Sequence, residues 1–126
     1  MLVGVPKEIK VREARVGLVP NSVAELTSRG HKVLVETNAG AGIGADDDAY
    51  CAAGAEIASD AKTVFDQADM IVKVKEPQPG EWVQLSANQI LFTYLHLAAD
   101  PAQTRGLIES GCTAIAYETV TDNQGG

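Results

Sequence analysis

Very little in these 126 residues is cysteine, aromatic or basic, and each shortage excludes something. Cys51 and Cys112 stand alone, with no CxxC pair and no histidine at ligand spacing, so neither a disulfide framework nor a zinc site is expected. Their expected state is two buried, reduced thiols. Aromatic residues make up 5% of the chain, so the core is expected to consist of small and branched residues, which suits helices packed closely on a parallel sheet. The formal charge of −7 excludes the basic face that a phosphate backbone requires, and no polybasic segment is present for an anionic membrane. No apolar run approaches the ~20 residues that span a bilayer. The opening MLVGVPKEIK lacks a basic stretch ahead of a long apolar one, so no secretory signal is expected and a cytoplasmic location is.

What is present is alanine, valine and glycine, with 45% apolar and 21% charged residues overall. Short valine- and isoleucine-rich runs alternate with short helical patterns closed by glycine. Strands are expected at Leu2–Val5, His31–Glu36, Ala55–Ala58, Met70–Val74, Ile90–Leu95 and Cys112–Tyr117. Helices are expected after Pro20, where Ser22-x-x-Glu25 spells a capping box, and after Asp46. Further helices are expected at Ala61–Gln67, at Gly80–Leu85 and from Pro101 to Glu109. This alternation predicts a single α/β domain, a mostly parallel doubly wound sheet with helices on both faces, Rossmann-like or flavodoxin-like. The tail Asp122–Gly126 reads as a domain boundary or a truncation.

Ligands of open α/β sheets gather at the carboxyl ends of strands. Three side chains are candidates there. Arg15 follows the first strand, and its guanidinium is a rigid fork that matches a carboxylate on two bonds. The neighbouring Val16-Gly17-Leu18-Val19 suggests that it is partly buried; a solvated loop charge is the plainer alternative. Lys73 and Lys75 alternate with valine, which places both on one strand face. On a central strand that face is covered, and a lysine there needs a partner. Lys75, nearer the strand end, is better placed to polarise a carbonyl or move a proton. His96 closes the run QILFTYLH, where an imidazole titrating near neutrality can act as acid or base, although a lone histidine is more often structural. His31 reads as an exposed strand start, and Glu118 as a weaker candidate. Gly40-Ala41-Gly42-Ile43-Gly44-Ala45 fits the dinucleotide spelling G-x-G-x-x-A. Asp46, Asp47 and Asp48 follow it and would repel a pyrophosphate, so a tight structural turn is expected.

The segments VGVPKEIKVREARVGLVP, ETNAGAGIGADDDAYCAAGA, VKVKEPQPGEW, QILFTYLHLA and AIAYETV cover nearly the whole chain. Together they resemble the amino-terminal part of the alanine dehydrogenase family, which is shared with the nicotinamide nucleotide transhydrogenase α subunit. TYLHLA resembles the dehydrogenase branch, because the histidine is a feature of that branch. The resemblance implies NAD-dependent interconversion of L-alanine with pyruvate and ammonium, usually by a homohexamer. It implies that Arg15 and Lys75 bind pyruvate's carboxylate and carbonyl, and that His96 serves as acid or base. It further implies that residues 1–126 are a substrate-binding domain. NAD would be bound by a Rossmann domain absent from this chain, which also supplies a catalytic aspartate. On that basis the isolated chain is expected to be inactive and to expose apolar surface. A non-catalytic binding module is the competing reading. A phosphoacceptor receiver domain lacks its strand-end aspartate and acidic pair.

Overall fold

The computed structural model describes residues 1–95 and 100–116. The strands are β1 (Leu2–Val5), β2 (Lys32–Glu36), β3 (Glu56–Ala58), β4 (Met70–Val72), β5 (Ile90–Thr93) and β6 (Thr113–Ala116). Between them run α1 (Pro20–Ser28), α2 (Asp47–Ala52), α3 (Ala61–Gln67), α4 (Pro79–Trp82) and α5 (Pro101–Ser110). The strands form one sheet in the order β3-β2-β1-β4-β5-β6, and every neighbouring pair is parallel. This is the Rossmann order rather than the flavodoxin one. The chain winds outward from β1 in one direction and resumes from β4 in the other.

Alternation along each strand sorts side chains to two faces. Val3, Val5, Val33 and Val35 pack with Val23 of α1 and Tyr50 of α2. Leu34, Ile71 and Leu91 pack with Val64 and Phe65 of α3 and Leu107 of α5. Helices therefore cover both faces, and strands buried on both sides read as apolar runs in the sequence. Val5, Val35, Ile71 and Leu91 are fully buried. Each such side chain contributes at most ~1.5–3 kcal/mol by removal from water.

Three helix starts follow a single chemical pattern. Asp46, Asp60 and Asp100 each accept a bond from the backbone N–H three residues on, satisfying one orphan donor of the first turn. The expectation of a capping box at Ser22 and Glu25 is corrected. Helix α1 begins at Pro20, with Val19 as N-cap and no side-chain cap; Ser22 and Glu25 lie inside it. Proline's fixed φ suits the first helical position, so it sets the start that Ser22 would otherwise have set. The reciprocal capping box lies at α4 instead, between Gln78 and Glu81.

Neither cysteine fits the buried-thiol expectation: Cys51 is exposed and Cys112 is partly exposed. Cys51 is on the outer side of a six-residue helix whose inner contact is Tyr50. His31 precedes β2 and is half-buried. Strand β4 stops at Val72, two residues earlier than its apolar pattern suggests.

Candidate functional site

The point where the winding reverses, between β1 and β4, opens a crevice at the strands' carboxyl ends. The segment 6–19 leaves β1 and crosses that crevice. It is tied down along its length. Lys7 N donates to Glu36 at the end of β2 (2.9 Å), and Val16 is buried in the core. Tyr50 Oη donates to Leu18 O at 2.8 Å. Gly17 lies so close to β4 that an added Cβ would stand 2.4 Å from Val72 O, so no side chain fits there. Arg12 adopts a φ of 69°, and Glu13 N closes the turn onto Lys10 O at 3.0 Å. A left-handed arginine is strained, which the anchored turn around it sustains.

Arg15 extends from this segment with its side chain 64% exposed, which corrects the expectation of partial burial. Its neighbour Val16 takes the inward position, so the arginine points outward. The guanidinium forms a fork with Glu13: Nε donates to Oε2 at 3.0 Å and Nη2 to Oε1 at 2.9 Å. The Arg15 backbone N–H adds a third bond to Oε2 at 2.8 Å. The bond from the Arg15 side chain holds the Glu13 carboxyl below its ordinary value, partly opposed by burial, with a further push from the charge of Lys75. Glu13 therefore feels both cations.

Lys75 leaves the end of β4 half-buried, with Nζ 5.5 Å from the centre of the Tyr94 ring. That is within reach of a cation–π attraction. Its carbonyl accepts from Thr93 Oγ1 at 2.8 Å. Lys10 and Glu76 form an ion pair that joins segment 6–19 to the residues after Lys75.

The expected sharing of one strand face by Lys73 and Lys75 does not hold, because β4 ends before either. Lys73 turns inward, 1% exposed, between Glu8 (2.9 Å) and Glu81 (3.1 Å). Their side chains are themselves 1% and 4% exposed. Desolvation pushes the Glu81 carboxyl above its ordinary value, and the Lys73 charge offsets only part of that. Two carboxyls face one ammonium in a dry site, which is why the single cation only partly offsets the upward push on Glu81.

A cavity of about 280 Å³ opens beside segment 6–19, lined by Glu8, Glu13, Arg15, Asn38 and Gly42 among others. Lys75 does not line it. A larger one, about 460 Å³, lies at the amino-terminal edge of the sheet near Leu2, His31 and Glu56, where parallel sheets do not gather ligands. Among the described residues, no cluster of three metal-ligating side chains occurs.

The glycine-rich stretch forms a single 3-10 turn at Ala41–Ile43 ahead of the six-residue α2. An added Cβ at Gly42 would stand 2.2 Å from Ala14 O, so this glycine admits the backbone beside Arg15. The helix start is already taken. Asp46 caps Ala49 N, and Asp47 accepts from Thr37 Oγ1 and Asn38 N. The bond from Thr37 holds the Asp47 carboxyl below its ordinary value. Residues that would have to cradle a pyrophosphate are anionic and engaged, and NAD does not fit here.

Of the sequence candidates, Arg15 is bonded to Glu13, and the charge of Lys75 adds a small push on the same carboxyl from outside the cavity that Arg15 lines. His96 and Glu118 lie outside the described residues. Sequence reasoning missed Glu8, Glu13 and Glu81. The one available signal was Lys73, a lysine on a central strand that had to be paired.

A Rossmann-ordered parallel sheet with helices on both faces defines an α/β domain of the kind that gathers ligands at the carboxyl ends of its strands. The chain belongs to the alanine dehydrogenase/PNT family: the model of its N-terminal domain matches residues 4–126. It is 55% identical over 124 residues to the alanine dehydrogenase of Bacillus subtilis (strain 168), covering 98% of this chain and 32% of that protein. The alanine dehydrogenase of Methanococcus maripaludis is 53% identical over 120 residues, again across 32% of its length. A solved L-alanine dehydrogenase superposes with a TM-score of 0.96 at 50% identity, covering all of this chain and 35% of that one. A solved transhydrogenase from Sinorhizobium meliloti gives 0.84 at 31% identity, covering 94% and 35%. The chain thus spans about a third of the length of these relatives. Among the described residues, no helix is long and apolar enough to cross a membrane.

Proposed function

We propose that residues 1–126 are the substrate-binding domain of an NAD-dependent L-alanine dehydrogenase, which converts L-alanine to pyruvate and ammonium. Arg15 binds the carboxylate of the substrate through its guanidinium. Lys75 donates to the keto oxygen and polarises the carbonyl, which stabilises negative charge developing on that oxygen. His96 carries the proton as acid or base. NAD is bound by a domain outside this chain, since the residues described here offer it no site. The whole protein works in the cytoplasm as a homohexamer in this reading, and the 126-residue chain alone is inactive.

One observation carries the reading: Arg15 bonds Glu13 on three donors while the charge of Lys75 reaches the same carboxylate. The fork from Arg15 to Glu13 supports a guanidinium able to grip a carboxylate, and the push of Lys75 on the same group supports a second cation in the neighbourhood. The names of the relatives support alanine as the substrate. Titrating pyruvate while observing the Lys75 and His96 side chains by NMR tests the site. Both signals are expected to shift and saturate; neither moving refutes it. NADH formation from L-alanine and NAD is expected of the protein carrying the remaining two thirds and not of this chain alone. The likeness to a transhydrogenase supports a second reading as a transhydrogenase-like domain. L-alanine-dependent NADH formation separates the two.

A further inference from the structure

Glu8 uses both carboxylate oxygens on three consecutive residues after β4. Oε1 accepts from Lys73 Nζ at 2.9 Å and from Lys75 N at 3.1 Å, while Oε2 accepts from Val74 N at 3.1 Å. The side chain is 1% exposed, so water does not compete for these bonds. Its own backbone belongs to segment 6–19, seven residues ahead of Arg15. The carbonyl side of Lys75 is held independently by Thr93 Oγ1. The Lys75 backbone is therefore clamped before and after its Cα, and the first clamp comes from the segment that carries the other cation.

We propose that Glu8 is a positioning residue that sets the separation between the Arg15 guanidinium and the Lys75 ammonium. It does so by joining the segment bearing the first to the peptide bearing the second. This rests on the reading that those two cations grip an α-keto acid. The carboxylate and keto groups of such an acid sit on adjacent carbons, so only a narrow range of cation spacing engages both. A misplacement on the order of 1 Å is enough to cost ~100-fold in a well-organised site.

Glu81 supplies the comparison. It meets the same Lys73 ammonium at 3.1 Å in equally dry surroundings, but its other oxygen accepts from Gln78 N, on its own helix start rather than on the Lys75 peptide. A role confined to neutralising Lys73 would make the two glutamates equivalent. A positioning role makes them different.

The test uses the full-length protein with Glu8→Gln, Glu8→Asp and Glu81→Gln. Glutamine at 8 removes the charge, and aspartate keeps the charge but falls one methylene short of the amides. Three readouts are recorded: melting temperature, pyruvate affinity by calorimetry, and the Lys75 Cε NMR signal without ligand. Both Glu8 variants are expected to shift the Lys75 signal and to weaken pyruvate binding by ~10–100-fold. Glu81→Gln is expected to leave both unchanged. Equal weakening in all three variants, in step with melting, makes Glu8 merely part of the buried charge cluster and overturns the proposal. So does full affinity in a folded Glu8 variant. A wild-type protein that binds no pyruvate overturns the reading of the site instead, and the ligand-free Lys75 signal still shows whether Glu8 places the ammonium.

Discussion

Replacing Lys73 by methionine removes the ammonium that bonds both Glu8 and Glu81 while filling nearly the same volume. The three side chains are 1%, 1% and 4% exposed, so the two carboxyls cannot recruit water in its place. Breaking a buried ion pair from one side costs ~3–5 kcal/mol, because the stranded charge keeps its desolvation penalty. With an unfolding entropy of ~2.1 cal/mol/K per residue, a chain of this length loses roughly 11–19 °C in melting temperature. That is a large share of the ~5–15 kcal/mol a domain normally has. The sign of the pH dependence follows from protonation. Glu81 is raised in the folded wild type, so its contribution is full below its ordinary value of 4.5 and is lost as pH rises through the raised folded value. The variant must hold a second carboxyl in the same dry site without a cation, and takes up an additional proton to stay folded. The deficit relative to wild type should therefore shrink on acidification from pH 7 to pH 5, by up to ~1.4 kcal/mol per unit for that proton. Urea denaturation at both pH values, followed by circular dichroism, measures it. A loss under ~1 kcal/mol at pH 7, or an equal loss at both, refutes the buried-charge argument.

Arg15→Ala should weaken pyruvate binding by about 10–100-fold, the worth of charge-assisted hydrogen bonds. With a side chain 64% exposed, it should leave melting almost unchanged, and calorimetry beside thermal denaturation checks both. Gly17→Ala forces a methyl to within 2.4 Å of Val72 O. It should cost ~1–3 kcal/mol of stability, as overpacking does, and lift segment 6–19 off β4. Thermal melting with a pyruvate titration on the same variant would show the two losses together.

The positions of the strands along the chain were written in the residues. LVGV, KVLVE, MIV and ILFT are apolar on both faces because helices cover both, and aspartate or proline marks each of these helix starts except where the chain merely turns. Fold class needed nothing more. So did the absence of a basic face, and the selection of Arg15, Lys75 and His96 as chemistry-bearing groups by family resemblance and position after strands. Where the simple pattern misled, another constraint had taken over, local in two cases and distant in sequence in the third. Ser22 lost its cap to Pro20, Cys51 turned outward while Tyr50 turned in, and beyond β4 the amides of Val74 and Lys75 bond the distant Glu8.

Periodicity and turn chemistry act over a few neighbouring residues, so the one-dimensional pattern could determine which elements form and which strands lie buried on both faces. It could not determine which charges meet. Glu8 lies 65 residues from Lys73, and the parallel order that places β1 beside β4 is what brings them within 2.9 Å. Burial then makes the pairing obligatory, since an ammonium in a dry interior stays charged only beside a carboxylate. The bonds that Glu8 accepts from Val74 N and Lys75 N are likewise a product of that strand order, which no stretch of the chain encodes alone.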